Sequence, residues 1–541
     1  MHGLFKKTII AGLLAYVGSA AALTFETENI SGNFDSTITT GIGVRTKNPS
    51  CNLVVSGASG SGAPAGCLAP SSALGDQGNL NYGKGDAFTT YLKGSHELLL
   101  KLPESWTFMG RVSWLKDFSA THTTGYVSAA NPAGVGSLTD AARDDLGFKT
   151  RLLDLWVSKE FSIGEERARI RAGNQVISWG ESLFLPGGIN QTNSMDLMRL
   201  AQPGTQLKEV FLPAPIVSFA TGLGHGVNLE AYVQANWNDN YFPPTGSYWS
   251  TANGLGKGDT AYGIPKRKPK DGNQYGAALR WQPSGTQLNL GLYAMSYQDK
   301  SPQLSLANGP EWVFPEDRKM FGISANLPVG DWSIGTELSY RPKDAVALNP
   351  ATSGCASTGG KCYVDEKKFQ WAVTGMLSLT PSDYPTILKA LGGAQTATLM
   401  AEAVAVYYPN LKKSYGGDLI SAGAWGWGQE FSATGTPEAV GDKLSMGYNL
   451  DFSWVYDGTL IKGWQVVPEI YYFQAVSGRT PNSSGLFMEG AKSANFTVTF
   501  IQNPANWQFA VNYGKFWGGS RVFDQPLKDR DFIGAYVSRN F

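Results

Sequence analysis

Three groups of residues in this chain have types and spacing suited to chemistry. The first is the alternation Arg167, Arg169 and Arg171, a guanidinium at every second residue. On an extended strand such residues share a face, because the side-chain period is two. The segment before it offers Asp154, Ser158 and Glu160 at matching parity. Two readings stand: ion pairs between neighbouring strands, or a charged wall that sorts solutes. The second group is the run DQGNLNYGKGD, with Asp76, Asn79, Asn81 and Asp86. Its oxygens suit a hard cation such as Ca²⁺, but the spacing departs from an EF-hand loop and Asx turns use the same residues. The third group is histidine: only His2, His96, His122 and His225 occur. His96 falls on the outward face of a strand, where its same-face neighbours are Gly94 and Leu98 and Ser95 points the other way. No serine nucleophile stands beside it on its own strand. An adjacent strand is the one other source of a partner, and the chain is read as a non-enzyme.

The elements that would position these groups are strands. Alternation of apolar and polar residues over about ten positions is the mark of a membrane strand with one face in lipid and the other in a lumen. From Ile30 onward, Phe34, Ile38, Ile42 and Val44 share one face while Asn33, Asp35, Thr37, Thr39 and Arg45 share the other. Trp106, Phe108, Val112 and Trp114 oppose Thr107, Arg111 and Ser113, and Leu444, Met446, Tyr448, Leu450 and Phe452 oppose Ser445, Asn449, Asp451 and Ser453. About eighteen such segments follow, including ones near Phe88, Arg151 and Lys368 and a last one near Asp531, with sixteen as the next count. Trp106, Trp237, Trp281, Trp332, Tyr456, Trp464 and Trp507 sit near segment ends, where an interfacial girdle belongs. The connections alternate between short, as at 103–105 and 164–166, and long, as at 46–87 and 238–272. Short periplasmic turns and long extracellular loops produce that asymmetry. One longer connection on the short side, 380–396, reads as holding a helical turn over Tyr384–Leu391. The fold class expected is all-β: a transmembrane antiparallel barrel.

The first residues read as an export signal over 1–22, with Lys6 and Lys7, an apolar stretch from Ile9 to Val17, and Ala20 and Ala22 before cleavage near Leu23. No later stretch reaches the roughly twenty apolar residues of a membrane helix. Basic and acidic residues balance at 44 each, which speaks against nucleic acid as a partner. The final strand ends in Phe541 after Ile533, Ala535 and Val537. That pattern is similar to the signal read by the outer-membrane barrel-assembly machinery. Cys51 with Cys67, and Cys355 with Cys362, each fall within one long loop and are expected as local disulfides of an oxidising compartment. Metal binding by these pairs would lack both CxxC spacing and a nearby His.

About eight residues separate the cleavage site from the first strand, too few for a plug domain, so a constriction is expected from a loop. The candidate is 179–213, whose Leu183, Phe184, Leu185, Ile189, Leu197 and Val210 would otherwise face water. Burying such side chains favours packing by roughly 1.5–3 kcal/mol each. The loop is expected to fold into the lumen as a gate, with Trp179, Glu181, Phe184, Asp196, Arg199, Lys208, Glu209 and Phe211 as its working residues. An external cap on neighbouring loops is the other arrangement.

Taken together, SGNFDSTITTGIGVRT, NLNYGKGD, LLDLWVSKEF and RIRAGNQVISWGES followed by GINQTN resemble the bacterial barrel family of domain of unknown function 1302, over nearly all the mature chain. The resemblance implies work beside a second exported, periplasmic protein and an RND-type inner-membrane transporter. It also implies an envelope-spanning system that moves hydrophobic compounds or lipids, and it brings no catalytic residues. The leading expectation is therefore a loop-gated channel for hydrophobic or amphipathic molecules. A porin for polar solutes is the first alternative, and a non-conducting receptor, adhesin or assembly partner the second.

Overall fold

The computed structural model describes residues 23–50, 53, 76–123, 138–202, 205, 207–350, 354–421, 440–482, 485–521 and 524–541. The predicted leader 1–22, Cys51 and Cys67 lie outside them. Eighteen long strands form the wall. They are β1 Ser31–Arg45, β2 Ala87–Leu102, β3 Trp106–Asp117, β4 Phe148–Ile163, β5 Glu166–Gln175 and β6 Ala214–Gly224. Next come β7 Val227–Gln234, β8 Tyr275–Trp281, β9 Asn289–Tyr297, β10 Arg318–Val329, β11 Trp332–Ala347 and β12 Tyr363–Leu379. The last six are β13 Thr396–Tyr407, β14 Leu444–Asp457, β15 Trp464–Ser477, β16 Ala491–Gln502, β17 Trp507–Gly518 and β18 Phe532–Asn540. The segments expected near Arg151 and Lys368 begin earlier, at Phe148 and Tyr363, because both strands run on past the alternating stretch.

Every neighbouring pair is antiparallel, and β18 returns to β1 in register from Thr37↔Asn540 to Arg45↔Phe532. The sheet thus closes on itself as an 18-strand barrel, which leaves no edge for backbone polar groups to face lipid. A short strand, Leu23–Glu26, pairs with the start of β1 below the end of β18.

Alternation places the side chains. On β10, Phe321 and Ile323 are about half exposed on the outer wall, while Met320 and Ser324 are buried within. Trp106, Trp332, Trp464 and Trp507 open their strands and Trp281 ends β8, all at the short-turn end of the barrel. Trp237 lies instead beyond β7, edge-on to Phe314 at 4.6 Å. In the 380–396 connection a helix, Pro385–Ala390, starts on a proline that needs no N–H partner there, and buries Leu388 against Leu377, Leu379 and Ala397.

At the opposite end, connections distant in sequence meet. The connection after β7 reaches the one before β2 through Asn81 Nδ2, which donates to the Gly246 carbonyl (2.8 Å), and the one before β18 through Tyr248 Oη to the Arg530 carbonyl (2.7 Å). Two fully buried guanidiniums hold the junction. Arg45 donates to the Asn79 and Tyr82 carbonyls at 2.7 Å and lies 3.4 Å from Asp529, and Arg530 pairs with Asp76 and donates to the Ser250 carbonyl at 2.6 Å. Phe88, Tyr248, Trp249 and Phe532 cluster there, Phe88 stacked on Tyr248 and the other ring contacts edge-on. Cys355 and Cys362 form a disulfide across the β11–β12 connection.

Candidate functional site

The 179–213 segment leaves β5 and makes contact with walls on both sides of the barrel. Its first half lies along the inward faces of β7 to β15. Trp179 is buried against Tyr232 of β7 and Tyr293 of β9 and donates its indole N–H to Glu230 at 2.7 Å. Two buried carboxylates then hold the backbone. Glu337 of β11 accepts from the N–H groups of Glu181 (2.6 Å), Ser182 (3.2 Å) and Ile189 (3.0 Å). Glu402 of β13 accepts from Leu183 (3.2 Å), Phe184 (2.7 Å) and Leu185 (2.9 Å), and from the Ser182 hydroxyl at 2.5 Å. Neither carboxylate has a cationic partner within ion-pair distance among the described residues. Several N–H donors converging on one carboxylate give charge-assisted bonds that hold a loop without a counter-charge. Phe184 meets Tyr471 of β15 edge-on at 5.7 Å, and Glu181 accepts from Asn326 of β10 at 3.1 Å.

Small residues let the backbone come this close. A Cβ on Gly188 would stand 2.0 Å from Glu337 Oε1. One on the wall at Gly322 would meet Ile189 Cγ1 at 2.7 Å, and Ile189 is fully buried there.

The second half turns to the other wall. Ser194–Met195 pairs with Phe211–Leu212, so Phe211 closes a small hairpin. Asp196 caps the helix Leu197–Ala201 by accepting from the Arg199 N–H (2.7 Å) and pairs with Arg151 of β4. Glu209 accepts from Lys93 of β2 at 2.7 Å and lies 3.4 Å from Arg199, while Lys208 approaches Glu97 of β2 at 3.5 Å. One loop is thereby fastened to β11 and β13 on one side and to β2 and β4 on the other.

The charges expected to face one another are sorted differently. Asp154 takes Arg111 at 2.8 Å, not the β5 arginines. Arg171 stacks over Trp156 at 4.1 Å, and Arg167, Arg169 and Glu160 have no ion pair among the described residues. The loop's own charges pair with β2 and β4 and leave this row unneutralised. Cavities of about 200 and 300 Å³ run along it, lined by Arg169, Ser218 and Glu230 and by Arg167, Asn228 and Arg280.

The DQGNLNYGKGD oxygens are committed to protein donors. Asp76 holds Arg530 and caps the helix Gln77–Asn81, Asn79 accepts from Arg45 at 2.6 Å, Asn81 accepts from Gln77 at 3.0 Å, and Asp86 accepts from the Gly83 N–H at 2.6 Å. Among the described residues no group of three or more His, Cys, Asp or Glu is arranged to hold a metal ion.

His96 does meet a serine, from the neighbouring strand: Ser36 Oγ lies 2.7 Å from Nδ1 on the outward face. Its wiring opposes nucleophilic catalysis. The Trp114 indole donates to Nε2 at 3.0 Å, so in the neutral ring Nε2 is the acceptor and Nδ1 carries the proton. The imidazole then donates to Ser36 instead of taking its proton, and among the described residues no carboxylate bonds to it.

Among solved structures, the chain is similar to OccAB1 of Acinetobacter baumannii, at 10% identity and a TM-score of 0.43 over 94% of this chain and 96% of that one. It is similar also to OpdK of Pseudomonas aeruginosa with vanillate, at 9% identity and a TM-score of 0.40 over 94% and 98%. OccK2 (OpdF) of the same organism in complex with glucuronate matches at 9% identity and 0.40 over 94% and 98%. No curated protein matches the chain. The family model described as protein of unknown function (DUF1302) matches residues 5–541, and the chain belongs to that family.

Proposed function

We propose that this barrel is a constricted channel passing small polar and charged solutes across an outer membrane. The observation that carries this reading is the charge of the lumen. Among the described residues, Arg167, Arg169 and Arg171 on β5 have no ion-pair partner, and neither do Asp451 on β14 and Glu469 on β15. In a ring of eighteen strands, β14 lies opposite β5. Both rows lie within about eight residues of their short turns, at comparable depth. Opposed charges in low-dielectric walls focus a field across the water between them, which attracts and orients dipolar solutes. The two-sided attachment of 179–213 narrows the same space.

A second reading, passage of hydrophobic compounds as one stage of an envelope-spanning system with a periplasmic partner and an RND-type transporter, has one feature in its favour. An apolar groove of about 1000 Å³ on the outer wall is bounded by Leu279, Trp281, Leu292, Ile323, Leu338 and Trp371, and the inward-facing Gly291 and Glu337 reach its floor.

Single-channel recording in planar bilayers tests the first reading. The intact protein is expected to give small resolved steps, larger after deletion of 180–213. Replacing Arg167, Arg169 and Arg171 by Gln is expected to move the reversal potential in a KCl gradient toward cation selectivity. A barrel silent in both forms, yet able to carry a hydrophobic fluorophore into proteoliposomes, would favour the second reading.

A further inference from the structure

A cavity of about 140 Å³ lies between the lumen loop, at Pro186 to Leu197, and the connections that carry Asp299 and Asn482. Its charged lining is balanced: Asp299 and Asp344 against Arg341 and Lys368. A bulge between Arg341 and Asp344 turns both of these inward from β11. The balance is not matched by local pairing. Asp344 is satisfied by Tyr408 Oη at 2.6 Å, Asn482 at 3.3 Å and Arg341 at 3.3 Å. Arg341 also donates to the Gly187 and Gly188 carbonyls, leaving its buried Nε without a partner. Lys368, buried, has only Asp344 at 3.9 Å and makes no hydrogen bond among the described residues. The Asp299 carboxylate makes neither hydrogen bond nor ion pair there, and burial, with Asp344 nearby, pushes it up to about 6. Gln370 Oε1, buried on the same wall, is also unpartnered.

Under-partnered charges of both signs around one pocket, beside two buried polar atoms that make no hydrogen bond, favour a ligand that brings the missing partners. We propose that this cavity binds a small zwitterion of amino-acid size, its carboxylate received by Lys368 and its ammonium by Asp299. The net-neutral lining disfavours a solute of net charge of either sign, since such a solute would leave one wall group unmatched. The proposal rests on the channel reading only in placing the site on the route of the solute; binding itself does not require passage.

Isothermal titration calorimetry on the full-length protein in detergent decides it, with L-threonine as the probe. Its controls are 3-hydroxybutyrate, which lacks the ammonium, and 1-amino-2-propanol, which lacks the carboxylate. Threonine is expected to bind, and each control at least about tenfold more weakly, the size of effect that follows loss of one charged hydrogen bond. Asp299→Asn, in a connection outside the wall, should weaken threonine by a similar factor and leave 3-hydroxybutyrate unchanged. Lys368→Gln should do the converse with 1-amino-2-propanol as the insensitive control. No heat from threonine at tens of millimolar, equal binding of all three compounds, or threonine binding indifferent to Asp299→Asn overturns the proposal. Conductance measured on the same preparation separates the two readings: a conducting barrel that ignores threonine loses only the site.

Discussion

Glu337 and Glu402 show how single residues can organise a loop of more than thirty positions. Each carboxylate gathers three N–H donors, Glu402 from the consecutive residues Leu183 to Leu185 and Glu337 from Glu181, Ser182 and the more distant Ile189, so the loop's backbone is held where side chains alone would leave it mobile. Glu402→Gln removes the charge and turns an N–H group toward donors that need an acceptor. Hydrogen bonds to charged groups contribute about 1.5–3 kcal/mol each, so the change is expected to free residues 182–185. The trace should show severalfold larger or flickering conductance steps, with the melting of the barrel unaltered. Steps identical to the parent protein's would mean that Glu402 does not hold the loop.

At the scale of elements, the wall is shaped for the loop as much as the loop for the wall. Ile189 enters the space that a side chain at Gly322 of β10 would occupy. Gly322→Leu places a branched chain there, and overpacking of this kind costs about 1–3 kcal/mol. The loop is the weaker of the two structures, because β10 is fixed by ladders to β9 and β11. Limited proteolysis is therefore expected to cut within 180–212 in the variant while the barrel stays folded in gel mobility. Cleavage that remains at the parent rate would place the adjustment in the wall instead.

For the whole molecule, the long-loop end is tied across the mouth. Arg45 and Arg530 join chain segments that are distant in sequence, from beside β1, β2, β7 and β18, into one buried junction. Removing one partner of a buried pair costs about 3–5 kcal/mol, because the other charge stays behind unmatched. Asp76→Asn is expected to open the junction locally, read as faster cleavage of the connections by external protease on intact cells, with strand pairing retained. Unchanged protection would mean that Asn79 and the carbonyl acceptors suffice to hold it.

The strand count, the facing of each strand and the order of long and short connections were all legible in the sequence, because each is a local property. Every strand must separate lipid from water on its own two faces, so the alternation from Phe34 to Arg45, or from Leu444 to Trp454, contains its own answer. The apolar content of 179–213 likewise marked it as a segment that packs. What the loop packs against was decided only by closure of the barrel. Glu337 and Glu402 stand on the inward face of their strands, but their partners are backbone N–H groups 148 to 219 residues away, which carry no signature in a sequence. The pairing of Ser36 with His96 across 60 residues, and the gathering of Asp299, Arg341 and Lys368 around one cavity, are of the same kind. Periodicity tells a residue which way to face; only the register of eighteen strands and the path of one loop determine what it meets.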